Sequence, residues 1–284
     1  RPNRIKYIFW SFIAFNRISF TNNTGVFVQN SVNATVYNNT IFNITNTTAN
    51  GATNAIFFTG SSGGNASYNN VQNVSSAGMQ IATSSNTSAA YNYFSGFGSI
   101  ALGQGRPVAA VFITGSEYVN FSYNNVSNGT TGIYASTGLS PSSGANYSNI
   151  LHNRVSFMNN YGIGVLGGIG LNASSNTIFN VSNSSSGVQS AGIVVTNANA
   201  SNFYYNAISN ISSNSTSAGI LSNGATQNNS FVSNVLSNQG VAFNATSAGI
   251  GLVVYLNNFT SSSAYGFWFS ATNALNVTEN YLAN

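Results

Sequence analysis

The sequence predicts an all-β fold: a right-handed parallel β-helix, or solenoid, of about eleven coils with three short strands per coil. Three observations support this. An Asn followed two positions later by an apolar side chain recurs along the whole chain, at intervals of roughly 23 to 32 residues. A second apolar run, usually opened by Gly, follows about nine positions after each such Asn. No stretch has the apolar spacing of a helix, and a fixed period of this length is typical of repeat architectures.

We call the recurring Asn residues the ladder asparagines. They are Asn16, Asn39, Asn69, Asn92, Asn124, Asn153, Asn176, Asn206, Asn234, Asn257 and Asn280. Half of the intervals between them share the shortest value, roughly 23 residues, which we take as the bare coil, so the longer intervals contain insertions. The clearest copies of the surrounding sequence are residues 15–20 (FNRISF) and 152–157 (HNRVSF).

Strands this short, without two-residue turns between them, cannot form hairpins. They can satisfy their backbone hydrogen bonds by lying parallel to the strand one coil earlier, with the usual right-handed crossover. We expect the ladder asparagines at the bends, because Asn tolerates the left-handed conformation that a tight bend needs. Their amides should bond to the asparagines above and below.

We expect one domain over residues 1–284, with residues 1–12 as an N-terminal cap or remnant. The sequence begins at Arg1, so a processed or truncated product, a piece of a longer chain, is expected. The apolar run over residues 7–15 is half the length of a membrane-spanning helix, so no membrane span is predicted in this segment.

Composition excludes several classes of protein. Charged residues are 3% of the chain against about 25% in ordinary proteins, there is no Asp, and the six cations form no basic stripe for nucleic acid. The apolar content of 43% is phased, which argues against disorder. Without Cys, neither disulfides nor thiolate metal sites are available.

The sequence Asn-x-Ser/Thr occurs 22 times. Such a sequence accepts an N-glycan only in a secreted chain, and a chain rich in Asn, Ser and Thr also forms many by chance. With the missing Cys and charge, it predicts an extracellular or cell-surface location. The candidate glycan sites are Asn22, Asn33, Asn38, Asn43, Asn65, Asn73, Asn120, Asn172, Asn228 and Asn276.

The residues needed for familiar catalytic sites are scarce. Glycoside hydrolysis needs two carboxyls within about 9.5 Å. Glu117 and Glu279 are the only acids, and seven coils at about 4.8 Å place them roughly 34 Å apart. His152 is the only His, so neither a zinc cluster nor an acid relay can form. We therefore predict that the chain is not an enzyme and has no catalytic, cofactor or metal residues.

Residues 172–178 (NASSNTI), followed by residues 190–193 (SAGI), resemble the repeats of right-handed parallel β-helix proteins of the pectate-lyase-like superfamily, of the surface or adhesin kind. The resemblance covers nearly the whole chain and implies a stacked, inward Asn ladder. That superfamily includes polysaccharide lyases and hydrolases, phage tailspikes and adhesins, and the catalytic residues of its lyases have no counterparts in this sequence.

An aromatic column stands just before the ladder asparagines, in Phe15, Tyr68, Tyr91, Tyr123, His152 and Tyr205. It forms either an internal stack or an external strip for sugar rings, with Tyr68, Tyr91, Tyr123 and Tyr205 as candidate sugar-stacking residues. Insertions over residues 43–54, 96–108, 182–190 and 209–217 are expected to share one edge, as binding loops or as glycan-bearing spacers. A fifth, over 136–149, interrupts another bend.

The function predicted first is a non-catalytic extracellular or cell-surface structural glycoprotein that forms a rod, fibre or surface layer. Its expected partners are other copies of itself, head-to-tail or lateral, and covalent N-glycans, with carbohydrate as a further candidate and no nucleic acid. The alternative is a carbohydrate-binding or carbohydrate-processing β-helix, either an adhesin or a tailspike-like or lyase-like protein.

Overall fold

The predicted fold class is confirmed by a computed structural model, which describes residues 4–6, 11–45, 53–97, 108–136, 144–183, 189–213, 217–246, 249–270 and 273–283. It is an all-β parallel solenoid with 71% strand and no helix among the described residues. The solenoid makes about nine turns, slightly fewer than the eleven predicted. In the smaller sheet nine of the eleven strands have a neighbour on both sides, and the two end strands have a neighbour on one side only.

Each coil has three walls, which we name A, B and C in the order in which they follow a ladder Asn. Wall C is the eleven-stranded sheet and every pairing in it is parallel. Its strands are Phe12–Ala14, Thr35–Tyr37, Asn65–Ser67, Ser88–Ala90, Asn120–Ser122, Asn149–Leu151, Asn172–Ser174, Asn202–Tyr204, Ser230–Val232, Ile250–Tyr255 and Asn273–Thr278.

Walls A and B belong to one eighteen-stranded parallel sheet. Wall A follows the ladder asparagines and comprises Arg17–Ser19, Thr40–Ile44, Asn70–Val74, Tyr93–Phe97, Thr177–Asn183, Ala207–Ser213 and Tyr281–Ala283. Wall B comprises Arg4–Lys6, Thr24–Gln29, Asn54–Thr59, Ala77–Ala82, Ala109–Thr114, Ala191–Thr196 and Ala218–Asn223. Four strands run through both walls without a break: Asn125–Ser136, Arg154–Leu166, Val235–Thr246 and Asn258–Ser270.

The interior is one apolar column along the axis. In each strand alternate side chains point inward, so that wall A contributes residues such as Phe94 and Ile178, wall B residues such as Ile163, and wall C residues such as Phe121 and Phe203, all of them fully buried. Because each coil repeats this inward set, the period-two pattern within the strands and the repeat from coil to coil together form the core.

The bend between walls C and A, which we call bend CA, differs from the prediction in one respect. The left-handed residue there is not the ladder Asn but the residue before it, with φ between 48° and 58° before all eleven ladder asparagines. In the coil of Asn124, for example, that residue is Tyr123. The ladder Asn must start wall A and point its amide into the interior, so the reversal of the chain falls one residue earlier.

Candidate functional site: a polar groove along one bend

The ladder asparagines form a continuous chain of hydrogen bonds inside bend CA. In each of the ten steps the backbone N and the side-chain Nδ2 of one Asn donate to Oδ1 of the Asn in the next coil, at 2.9 to 3.1 Å. Except for the first Asn, Nδ2 also donates to a wall C carbonyl of the preceding coil, as Asn153 does to Phe121 at 2.9 Å. These bonds use the amides within the solenoid and leave nothing for a ligand.

The aromatic column of bend CA lies outside the solenoid. Tyr68, Tyr91, Tyr123 and His152 stack in succession with ring centroids 5.1, 5.2 and 4.8 Å apart and planes within 9°. The three tyrosines are half exposed. Since each ring covers the face of the next, the rings inside the stack offer their edges rather than free faces. Tyr205, the fourth candidate sugar-stacking residue, is separated from this stack by the coil of Ser175.

A second column of asparagines stands outside the solenoid at the bend between walls A and B, which we call bend AB. Each lies four positions after a ladder Asn, and all have left-handed backbones, with φ from 52° to 57°. They are Asn43, Asn73, Asn128, Asn180, Asn210 and Asn238. The sequence analysis did not single out this column, although its signal, Asn-x-apolar-x-Asn, is present in six coils.

These outer asparagines are linked more loosely than the ladder. Asn210 Nδ2 donates to Asn180 Oδ1 at 3.2 Å, and Asn238 Nδ2 donates to Asn210 Oδ1 at 3.0 Å. Asn128 Nδ2 donates to Ser95 Oγ at 3.2 Å. All three bonds are exposed to solvent. Each outer amide therefore keeps donor and acceptor capacity for a ligand.

Part of this column lines a groove of about 730 Å³, a volume typical of ligand sites. The groove follows bend AB over six coils, roughly 24 Å along the axis. Its lining combines side-chain amides, hydroxyls and two phenyl rings: Phe97, Asn128, Gly129, Phe157, Asn159, Asn180, Ser182, Asn210, Ser212 and Asn238. None of these residues is charged.

The two hexapeptide copies that stand out in the sequence build the same cluster. In the second copy the Arg154 guanidinium lies 4.4 Å from the Phe179 ring centroid, and Phe157 meets Phe179 edge-on at 5.9 Å. In the first copy Arg17 lies over Phe42 at 4.9 Å. The second cluster fixes Phe157, which is half exposed and replaces Asn in the outer column, at the groove.

The predicted insertions explain where the groove lies. Four of them lie between a wall A strand and a wall B strand, at bend AB, and the fifth follows a wall B strand. Residues 46–52, 98–107, 137–143, 184–188 and 214–216 lie outside the described residues. Asn125–Ser136 and Arg154–Leu166 cross bend AB without a break. The groove therefore begins where two coils without insertions follow a coil that has one.

The two acids are held separately, and neither belongs to the lining of the groove. Asn146 Nδ2 donates to Glu117 Oε1 at 3.4 Å, and Tyr255 OH donates to Glu279 Oε2 at 3.0 Å. The bond to Glu279 raises the pKa of Tyr255. Within the described part of the chain, no three His, Cys, Asp or Glu residues come together as a metal site would require. No helix that could span a membrane occurs in that part either.

Strand geometry accounts for many of the glycan sequences. An outward Asn, an inward apolar residue and an outward Ser or Thr give Asn-x-Ser/Thr in any wall of this solenoid. Asn120 and Asn172, on wall C strands, are half-buried examples, and Asn43 is a half-buried example in the outer column. The other candidates are exposed: Asn22, Asn33, Asn38, Asn65, Asn73, Asn228 and Asn276.

No protein-family model matches the chain, and no curated protein sequence matches it. Solved structures do. A mutant of the periplasmic alginate epimerase AlgG has a TM-score of 0.68 at 12% identity, covering 96% of this chain and 70% of its own. The Streptococcus pneumoniae surface protein and adhesin PfbA has 0.55 at 13%, covering 96% and 91%. The A-module of the Azotobacter vinelandii mannuronan C-5 epimerase AlgE6 has 0.52 at 11%, covering 92% and 58%.

At these identities the likeness shows the fold, and the chain is a parallel β-helix protein, as the resemblance in its repeats predicted. The prediction that it is not an enzyme is wrong as an inference. Two of the three neighbours are epimerases that act on carbohydrates, so proteins with this fold include enzymes. The separation of Glu117 from Glu279 excludes only mechanisms that need those two carboxyls as a pair.

Proposed function

We propose that this protein is a carbohydrate-binding β-helix of the cell surface or envelope, and that its glycan ligand lies in the groove at bend AB. The observation that carries the proposal is the row of outer amides at Asn128, Asn180, Asn210 and Asn238, one per coil except where Phe157 replaces Asn. The periplasmic and surface proteins among the structural neighbours support the location.

The chemistry of the groove suits a neutral sugar chain. An amide offers two donors and an acceptor, which matches the mixed donor and acceptor character of sugar hydroxyls. The Phe157 ring offers an apolar face for the C–H side of a sugar, and the Ser182 and Ser212 hydroxyls add adaptable partners. With no charged residue in the lining, affinity should depend little on salt.

Replacing Asn180 and Asn210 together by Ala should weaken glycan binding by roughly tenfold or more, because two hydrogen-bonding groups at the centre of the groove are lost. Binding would be measured by glycan array, followed by calorimetry on the best ligand. The matched control is Asn43→Ala with Asn73→Ala. These residues have the same backbone conformation and a similar bond between coils, at 3.4 Å, but do not line the groove.

The proposal fails if no glycan binds the wild-type protein. It also fails if both double variants lose affinity equally, since the effect would then come from the outer column as a structural element. Both variants should lose a similar amount of stability, about 1 kcal/mol per substitution, because all four positions have left-handed backbones that Ala adopts less readily than Asn.

N-glycosylation and self-association stay predictions. The exposed candidate sites and the exposed aromatic edges of bend CA are compatible with both. An adhesin among the structural neighbours supports a surface role in which either would occur.

A further inference from the structure

The aromatic stack of bend CA is interrupted at one coil. The parallel register aligns Leu151, Ser174 and Tyr204, each of which is followed by the left-handed residue of its coil: His152, Ser175 and Tyr205. The backbone N of His152 donates to Ser174 O at 3.1 Å, and that of Ser175 donates to Tyr204 O at 3.0 Å. The three bends are therefore directly stacked, and the middle one carries no ring.

The gap has the size of one ring. Within the intact stack, successive centroids are 4.8 to 5.2 Å apart. His152 and Tyr205 are two coils apart, which corresponds to about 10 Å. Tyr205 is 67% exposed, against 49% for Tyr123, which is stacked on both sides. The rings of His152 and Tyr205 thus border a slot, because the coil between them carries no ring.

Among the described residues, no nearby aromatic side chain closes the slot. Tyr204 meets Tyr205 edge-on at 6.5 Å within its own coil, and its hydroxyl donates to Asn202 Oδ1 at 2.7 Å. The coil between the two rings presents hydroxyls instead, from Ser174, Ser175 and Thr177. Rings on two sides and hydroxyls at the base match a sugar ring, which has apolar C–H faces and hydroxyl edges.

We propose that this slot binds a single pyranose ring of a neutral glycan between His152 and Tyr205. The slot is a second subsite, and its ligand class rests on the carbohydrate function proposed above. It lies at bend CA, whereas the groove lies at bend AB, with wall A between them. The two sites can therefore be tested separately.

His152 provides a direct probe, because it is the only histidine and its imidazole proton signals in NMR are unique. The protein would be titrated with methyl β-glucopyranoside, methyl α-mannopyranoside, methyl β-galactopyranoside, N-acetylglucosamine and, as a planar aromatic, p-cresol. We expect a saturable shift of the His152 signals with at least one of the sugars.

Two variants should remove the site in opposite ways. Tyr205→Ala removes one of the two rings that border the slot. Ser175→Tyr fills the slot with tyrosine, the residue found at the equivalent backbone position in Tyr68, Tyr91, Tyr123 and Tyr205. In each variant the affinity for the sugar, measured from the shift of the His152 signals, should fall about five- to tenfold. Ser175→Tyr should also unfold at an equal or higher temperature than wild type, since it completes the stack.

The matched control is Tyr68→Ala, which removes a ring of the same column three coils from His152 and should leave the titration unchanged. The groove variant Asn180→Ala with Asn210→Ala should leave it unchanged as well. The proposal is overturned if no sugar shifts the His152 signals, if only p-cresol does, or if the shift persists in Ser175→Tyr. A shift lost only in the groove variant would refute the slot and leave the groove standing.

Discussion

Replacing Asn124 by Ala is expected to lower the free energy of unfolding by about 3 to 5 kcal/mol. Asn124 is 2% exposed, and its Oδ1 accepts bonds from the backbone N and Nδ2 of Asn92, both at 2.9 Å. Its Nδ2 donates to Ala89 O, Ser122 O and Asn153 Oδ1 at 2.9 to 3.1 Å. Ala would leave these buried partners with fewer hydrogen bonds and would create a small cavity.

Chemical denaturation followed by circular dichroism would measure this loss. Asn128→Ala is the matched control, since Asn128 lies in the same coil but is exposed, and its side-chain bond to Ser95 faces solvent. It should cost about 1 kcal/mol, because Ala is less favourable than Asn in the left-handed conformation of this residue. Asn124→Asp, which keeps the shape but points a carboxylate at three acceptors, should cost at least as much as Asn124→Ala. A loss below about 1 kcal/mol for Asn124→Ala would contradict a stabilising role for the ladder.

The second large effect is expected at Gly162, where Ala should destabilise the protein by about 2 to 4 kcal/mol. A Cβ there would lie 2.3 Å from Ile178 Cγ2 and 2.6 Å from the carbonyl oxygen of Gly192. Ile178 could turn away only by disturbing the core, and Gly192 could retreat only by stretching the parallel sheet. The cost is steric, because the backbone of Gly162 does not have a positive φ.

Thermal and denaturant unfolding of Gly162→Ala would be compared with Gly129→Ala. The Cβ added at Gly129 would meet Phe97 Cβ at 3.4 Å, an ordinary contact, so that variant should lose about 1 kcal/mol or less. Ala55, Ala110 and Ala242 occupy the position equivalent to Gly162 in other coils. A Cβ is therefore excluded from this column only where the neighbouring atoms approach as closely as they do at Gly162. Equal losses in the two variants would refute the steric explanation.

The sequence led to the fold because one requirement dominates. A strand as short as Asn120–Ser122 can satisfy its backbone only by pairing with a neighbour, and the regular spacing of Asn124 and Asn153 shows which residues become neighbours. The glycines that open the second apolar run also have a structural reason. Gly162 and Gly192 pack against the next coil where a side chain does not fit.

The site was harder to predict. Phe157 and Asn180 belong to successive coils and meet at one groove only because those coils stack. The outer Asn column was visible as a second Asn four positions after the ladder Asn, but nothing in the sequence distinguishes an outward amide from an inward one. The left-handed residue was placed one position late for the same reason, since Tyr123 and Asn124 differ in role only through the direction of their side chains.

The sequence by itself determined the architecture: a parallel solenoid, its repeat length, its inward apolar faces and the amide ladder in its interior. These follow from local alternation and from a repeat that must satisfy its backbone hydrogen bonds coil upon coil. Only the tertiary structure decided where ligands can lie. A groove at bend AB and a slot between His152 and Tyr205 depend on which coils carry an insertion or lack a ring, and side chains from different coils meet there only after stacking.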